Sequence, residues 1–157
     1  MTPRKPDAAT PRKKKPPLKI GWCEWVSLPG FSAHAIRAKI DTGAKTSAIH
    51  AYRVREVSID GSSHAEFFLH PVEGRGSPEV FCRAPIVGRR VIKSSNGMGE
   101  MRVIIKARLR MGKRSWPIEV SLANRDPMGF RLLIGRDALG DKVLIHPARA
   151  FLLGEPE

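Results

Sequence analysis

The sequence is poor in several residue types, and each shortage removes a class of function. It has only two cysteines, Cys23 and Cys82, in unrelated contexts and outside any Cys-x-x-Cys pair. Neither a disulfide framework nor a four-ligand zinc site is predicted, and both read as reduced thiols. Tyrosine occurs once, as Tyr52, and aromatic residues make up 6% of the chain, which leaves no evident stacking platform of the single-strand-binding kind. No apolar run approaches the roughly 20 residues that span a bilayer, and the basic start lacks an apolar signal segment. A cytoplasmic location and no membrane partner are therefore expected. His34, His50, His64, His70 and His146 stand singly, with no His-Glu-x-x-His spacing, and there is no Gly-x-x-x-x-Gly-Lys-Ser/Thr phosphate loop. The sequence accordingly predicts no metal and no cofactor.

Acids are also scarce. Fifteen of them face 28 lysines and arginines, a formal net charge of +13. Such a field attracts polyanions, so the expected partner is acidic: nucleic acid, an anionic surface or an acidic peptide. Charge narrows the class without choosing within it.

What is present fits one domain with a tail, since 157 residues at 41% apolar content can bury a single core. Residues 1–17 carry Arg4-Lys5-Pro6 and Arg12-Lys13-Lys14-Lys15-Pro16-Pro17 with almost nothing apolar, and read as a disordered basic arm. The arm suits contact with RNA, the ribosome or an acidic protein; it equally suits a solubilising tail. Residues 18–157 form the folded domain, where short apolar runs alternate with turn signals and predict an all-β architecture. From Met101 to Met111 one parity is apolar and the other is Arg102, Lys106, Arg108 and Arg110, broken only by Ile104. This predicts a strand with one wet, basic face. A turn at Met111 to Arg114 precedes a return strand through Trp116, Ile118, Val120 and Leu122, and Pro117 places that strand near an edge. Further strands are expected at Gly21–Ser27, His34–Ile40, Arg55–Ile59, Glu66–His70, Glu79–Ala84 and Val143–His146. The best short helix is Arg136–Leu139.

The residues that carry chemistry begin with Lys39-Ile40-Asp41-Thr42-Gly43-Ala44. A carboxylate at the end of an apolar strand requires hydrogen-bonding partners. Gly43 permits a tight turn whose backbone N–H groups face the acid, and Thr42 offers a hydroxyl to brace it. Downstream, Arg131-Leu132-Leu133-Ile134-Gly135-Arg136-Asp137-Ala138-Leu139 is an apolar strand that stops at glycine and enters a polar turn. Each alone is an ordinary turn or packing element.

Together, in this order, the two elements resemble retropepsins, in which the second element packs beneath the catalytic loop. The longer run Lys39 to Ala51, with Val91-Ile92-Lys93-Ser94-Ser95-Asn96-Gly97, Asn124-Arg125-Asp126 and Ile145-His146-Pro147-Ala148-Arg149, resembles the RimB-type peptidases. The likeness covers about Lys19 to Leu153. That family has carried the label of an ATP-dependent zinc protease, and this sequence supports neither half of the label, for the reasons given above.

The resemblance implies a retropepsin-like acid-protease barrel with one short C-terminal helix, and an aspartic peptidase in which Asp41, Thr42 and Gly43 are catalytic. Two carboxylates must share one proton, and the chain has one Asp-Thr-Gly, so the second Asp41 must come from an identical chain across a two-fold axis. Thr42 would bond across that axis. The implied substrate is a glutamate-rich tail added to a small-subunit ribosomal protein by a RimK-type ligase. Consecutive glutamates need cations near them; Lys93, Arg89, Arg90 and Arg136 are the candidates, with Ser94, Ser95 and Asn96 as hydrogen-bond donors. The competing expectation is a noncatalytic basic β-barrel that binds RNA or ribosomes.

Overall fold

The computed structural model describes residues 15–72, 75–93, 97–124 and 129–155. Residues 1–14 of the basic arm and the candidates Ser94, Ser95 and Asn96 lie outside them. Among the described residues, eleven strands and one helix follow in order: β1 Leu18–Gly21, β2 Cys23–Val26, β3 Ile36–Asp41, β4 Ser47–His50, β5 Tyr52–Ile59, β6 Ser62–Leu69, β7 Val80–Lys93, β8 Gly99–Met111, β9 Arg114–Ala123, β10 Leu132–Gly135, α1 Arg136–Leu139 and β11 Val143–His146. The fold is all-β with one short helix, as the sequence predicts.

Nine strands form one sheet in the order β2-β3-β10-β4-β9-β8-β7-β6-β5, and β1 pairs with β11 in a separate parallel ribbon. The ladders leave the large sheet open, with β2 and β5 at its ends. It nevertheless curls, because Ser27 and Arg110 exchange two backbone hydrogen bonds of 3.1 and 2.9 Å that bring the end of β2 to β8. Inside the curl lie fully buried side chains such as Phe67, Ile105, Leu109, Leu132 and Ile134. Burying one of these contributes about 1.5–3 kcal/mol.

Local pattern explains most elements. In β8 the alternation holds from Ile105 to Met111, where Ile105, Ala107, Leu109 and Met111 are buried and Lys106, Arg108 and Arg110 are exposed. It fails at Met101, which is 64% exposed rather than buried. There β8 pairs only with β7, as a two-stranded hairpin with no covering layer. Pro117 lies in β9 where β8 flanks one side; β4 joins β9 only from Val120 onward, so the edge signal is correct locally. The return strand as a whole is interior.

The strand β10 departs from alternation because all four of its residues are buried, held between β3 in parallel and β4 in antiparallel pairing. Two strands, β1 and β4, lie outside the sequence-predicted set. Both are four residues long, too short for period-two alternation to declare itself.

Candidate active site

Asp41 ends β3. Along that strand Ile36, Ala38 and Ile40 are buried while Arg37, Lys39 and Asp41 are half-buried, so the parity that fills the core also turns the carboxylate away from it. The chain then turns sharply. The Gly43 N–H donates to Asp41 Oδ1 at 2.9 Å and the Ala44 N–H to the Asp41 carbonyl at 3.2 Å. A Cβ on Gly43 would stand 3.1 Å from Asp41 Oδ1, a tight contact that would press on the carboxylate. Thr42 and Gly43 are exposed in the single chain.

The downstream element supports this loop from below. Asp41 lies opposite Gly135 in the β3–β10 register. The Arg136 and Asp137 N–H groups donate to the carbonyls of Ala44 and Lys45 at 2.8 and 3.2 Å. Ser47 locks the far side of the loop: its Oγ accepts from the Gly135 N–H at 3.0 Å, and its carbonyl accepts from Ser121 Oγ at 3.0 Å. A Cβ on Gly135 would meet Thr46 C at 2.8 Å and Ala44 O at 2.9 Å, so glycine is required by close approach. The two sequence segments singled out above thus form one unit. Ser47 and Ser121 were not among the sequence candidates; two serines near strand ends carry no signal until the strands meet.

Side chains complete the contact. Lys45 Nζ bonds Asp137 Oδ2 at 2.9 Å, and Arg136 Nη1 reaches the Gly43 carbonyl at 3.4 Å. The hydrogen bond from Lys45, aided by its charge and by the Arg136 and Arg90 guanidiniums, holds the Asp137 carboxyl below the usual range. Of the cysteines, Cys82 has its thiol pushed up to about 12 by burial, which leaves it without thiolate reactivity.

The candidate substrate residues are not gathered in one place. Arg136 opens α1 and packs against the loop. Arg90 Nη2 bonds Glu119 at 2.6 Å, and Arg89 forks onto both oxygens of Glu56 on β5. Lys93 is exposed at the end of β7, opposite Gly99. A groove of about 570 Å³ runs beside the loop, with Thr46, Arg90, Lys106, Glu119 and Asp137 on its walls. Among the described residues no three His, Cys, Asp or Glu side chains gather in a way that could hold a metal ion. Nor is any helix among them long and apolar enough to cross a membrane.

The chain is similar to known proteins. The family described as RimB-like, retropepsin-like aspartic endopeptidase RimB, matches residues 19–156. Two curated relatives, each called "Probable alpha-L-glutamate ligase", come from Shewanella pealeana and Desulfotalea psychrophila. They are 41% and 43% identical over 136 residues, 87% of this chain but only 30% and 29% of their own length. The chain therefore spans under a third of the curated relatives it matches. A solved structure of a Legionella pneumophila protein of unknown function is similar at a TM-score of 0.71 and 26% identity, covering 87% of this chain and 98% of that one.

Proposed function

The chain belongs to the RimB-like family of retropepsin-like aspartic endopeptidases, and on that premise we propose that it is a peptidase active as a homodimer, hydrolysing peptide bonds in acidic, glutamate-rich tails such as those of a modified ribosomal protein. The observation that carries the proposal is the loop itself. Asp41 stands at a strand end on a turn braced by β10 and α1, with the neighbouring Thr42 and Gly43 exposed.

Two such loops meeting on a two-fold axis would bring two Asp41 carboxyls together. Like charges at that separation cannot both ionise cheaply, so the pair keeps one proton. The ionised carboxylate takes a proton from water as its oxygen adds to the scissile carbonyl carbon, while the protonated one gives its proton to the carbonyl oxygen. Collapse of the resulting diol breaks the C–N bond as a proton passes to the leaving nitrogen. Thr42 braces the paired loops, and Gly43 admits substrate backbone close to the acids.

The substrate class is supported by charge and by relatives. A net charge of +13 favours an acidic polymer. The curated relatives carry names that refer to joining glutamate, and this chain matches a part of them. Hydrolysis of glutamate-rich tails is the opposing chemistry.

A second reading, a noncatalytic basic domain that contacts single-stranded RNA, is favoured by one feature. Tyr52, Phe68 and Phe81 stand in register across β5, β6 and β7, with Phe81 51% exposed and the Arg53 guanidinium 5.9 and 5.7 Å from the Tyr52 and Phe68 ring centroids. This row gathers rings that the sequence holds apart.

The test is hydrolysis of a glutamate-tailed peptide by the unmodified chain and by Asp41→Asn, with sedimentation to report assembly. Activity in a dimer, lost in a folded Asp41→Asn dimer, is the expected result. A strictly monomeric protein, or an Asp41→Asn variant as active as its parent, removes the peptidase reading; RNA binding without any hydrolysis would install the second.

A further inference from the structure

The groove beside the loop is formed by different materials on its floor and its walls. Val87 and Pro117, both exposed, supply an apolar floor from β7 and β9, with the buried Ile118 and Ala138 beneath it. The walls are charged, and most of those charges are already taken. Arg90 is held by Glu119 at 2.6 Å, and Asp137 by Lys45 at 2.9 Å. Lys106 is the exception: it is exposed and lines the groove, and among the described residues it makes no ion pair within 4 Å. Its direct cross-strand neighbour is Glu119, whose Oε1 accepts from Arg90.

A site with an apolar floor and one uncommitted ammonium at its rim matches a short aliphatic side chain that ends in a carboxylate. Glutamate has two methylenes to lie on Val87 and Pro117, and an anion to meet Lys106 Nζ. The volume, about 570 Å³, accommodates a few residues of peptide rather than a single ion. The four cations suggested by sequence fit this role less well. Arg89 and Arg90 would have to leave bidentate or short ion pairs, Lys93 stands at the hairpin end, and Arg136 is turned onto the loop carbonyl of Gly43.

We infer that Lys106 is the residue that selects acidic side chains, by receiving a glutamate carboxylate in the groove between β7, β8, β9 and α1. The inference rests on the peptidase reading for its biological meaning, but binding and hydrolysis can be separated. Lys106 positions substrate and takes no part in the bond-breaking step.

The experiment measures affinity by fluorescence anisotropy for a labelled tetraglutamate peptide and its tetraglutamine counterpart, on the full chain carrying Asp41→Asn so that nothing is cut. Adding Lys106→Gln is expected to weaken tetraglutamate about ten- to a hundredfold, the range of one charge-assisted hydrogen bond. The preference over tetraglutamine should collapse with it. Lys106→Arg should restore most of the preference, whereas Lys113→Gln, which removes a charge from the β8–β9 turn, should not reproduce the loss. Unchanged discrimination in Lys106→Gln, no measurable tetraglutamate binding by the parent, or an equal loss in Lys113→Gln overturns the assignment. If binding depends on Lys106 while the unmutated chain hydrolyses no peptide, this assignment stands and the peptidase reading falls.

Discussion

Two carboxylates on neighbouring strands, Glu24 on β2 and Asp41 on β3, have opposite surroundings. Glu24 is 0% exposed and accepts three backbone N–H groups, from Gly21 at 2.6 Å, Leu152 at 2.9 Å and Leu153 at 3.1 Å. It fastens the C-terminal segment to the start of the domain, helped by the Phe151 N–H on the Cys23 carbonyl and by Trp25 stacked on Phe151. Asp41 is half-buried and, among the described residues, its side chain accepts one N–H, from its own loop. Their surroundings separate the structural acid from the available one. A carboxylate whose oxygens are filled by backbone donors is a fastening; one left with spare acceptor capacity on an exposed loop has room for a proton, a water and a second carboxyl.

The comparison yields its largest effect at the acids themselves. Asp41→Asn should lower peptide hydrolysis by about a thousandfold or more, with a denaturant midpoint close to the parent's. Glu24→Ala should do the reverse. It strands buried N–H groups and should cost about 3–5 kcal/mol of unfolding free energy, with activity falling only as the folded fraction falls. An Asp41→Asn protein that unfolds easily, or a Glu24→Ala protein that stays stable yet inert, would erase the distinction.

A smaller effect is expected one layer down. Gly135→Ala forces a Cβ against the backbone of Ala44 to Thr46 and should cost about 1–3 kcal/mol while also displacing the Asp41 loop, so kcat should drop in the fraction that remains folded. Stability lost with kcat intact would show that β10 braces the fold and not the loop.

The smallest effect concerns the exposed pair. The Asp137 carboxyl is held below its ordinary 3.8 by Lys45, so its contribution is present above that value and fades as pH falls through the lower folded one. Lys45→Met should return the carboxyl toward its ordinary titration in an NMR pH series, with little change in stability at neutral pH, because exposed pairs contribute little. An unshifted titration would mean that Lys45 does not hold Asp137 in solution.

How far these regions were legible in the sequence follows from the range of the interactions. The helix Arg136–Leu139 and the strand ending at Asp41 were readable because glycine and alternating apolar residues act within a few positions. The exposed end of the β7–β8 hairpin was not, since its apolar residues Val91 and Met101 look like core residues in a linear string. Whether a strand residue is covered depends on which layer lies over it. The same limit applied to the cations: Arg89 and Arg90 were plausible substrate ligands until their partners Glu56 and Glu119, distant in sequence, came within bonding distance. Lys106 was visible only as one of several charges on the wet face of β8.

The all-β class, the Asp-Thr-Gly turn and the apolar strand downstream were written in the sequence, because side-chain parity, glycine geometry and charge are local properties of the chain. Folding was needed to set Gly135 opposite Asp41, to pin the loop from the far side with Ser47, to close the C-terminal segment on Glu24, and to leave one cation facing the groove uncommitted. Each of those depends on residues far apart in the chain meeting at contact distance, and hydrogen bonding and ion pairing act only there.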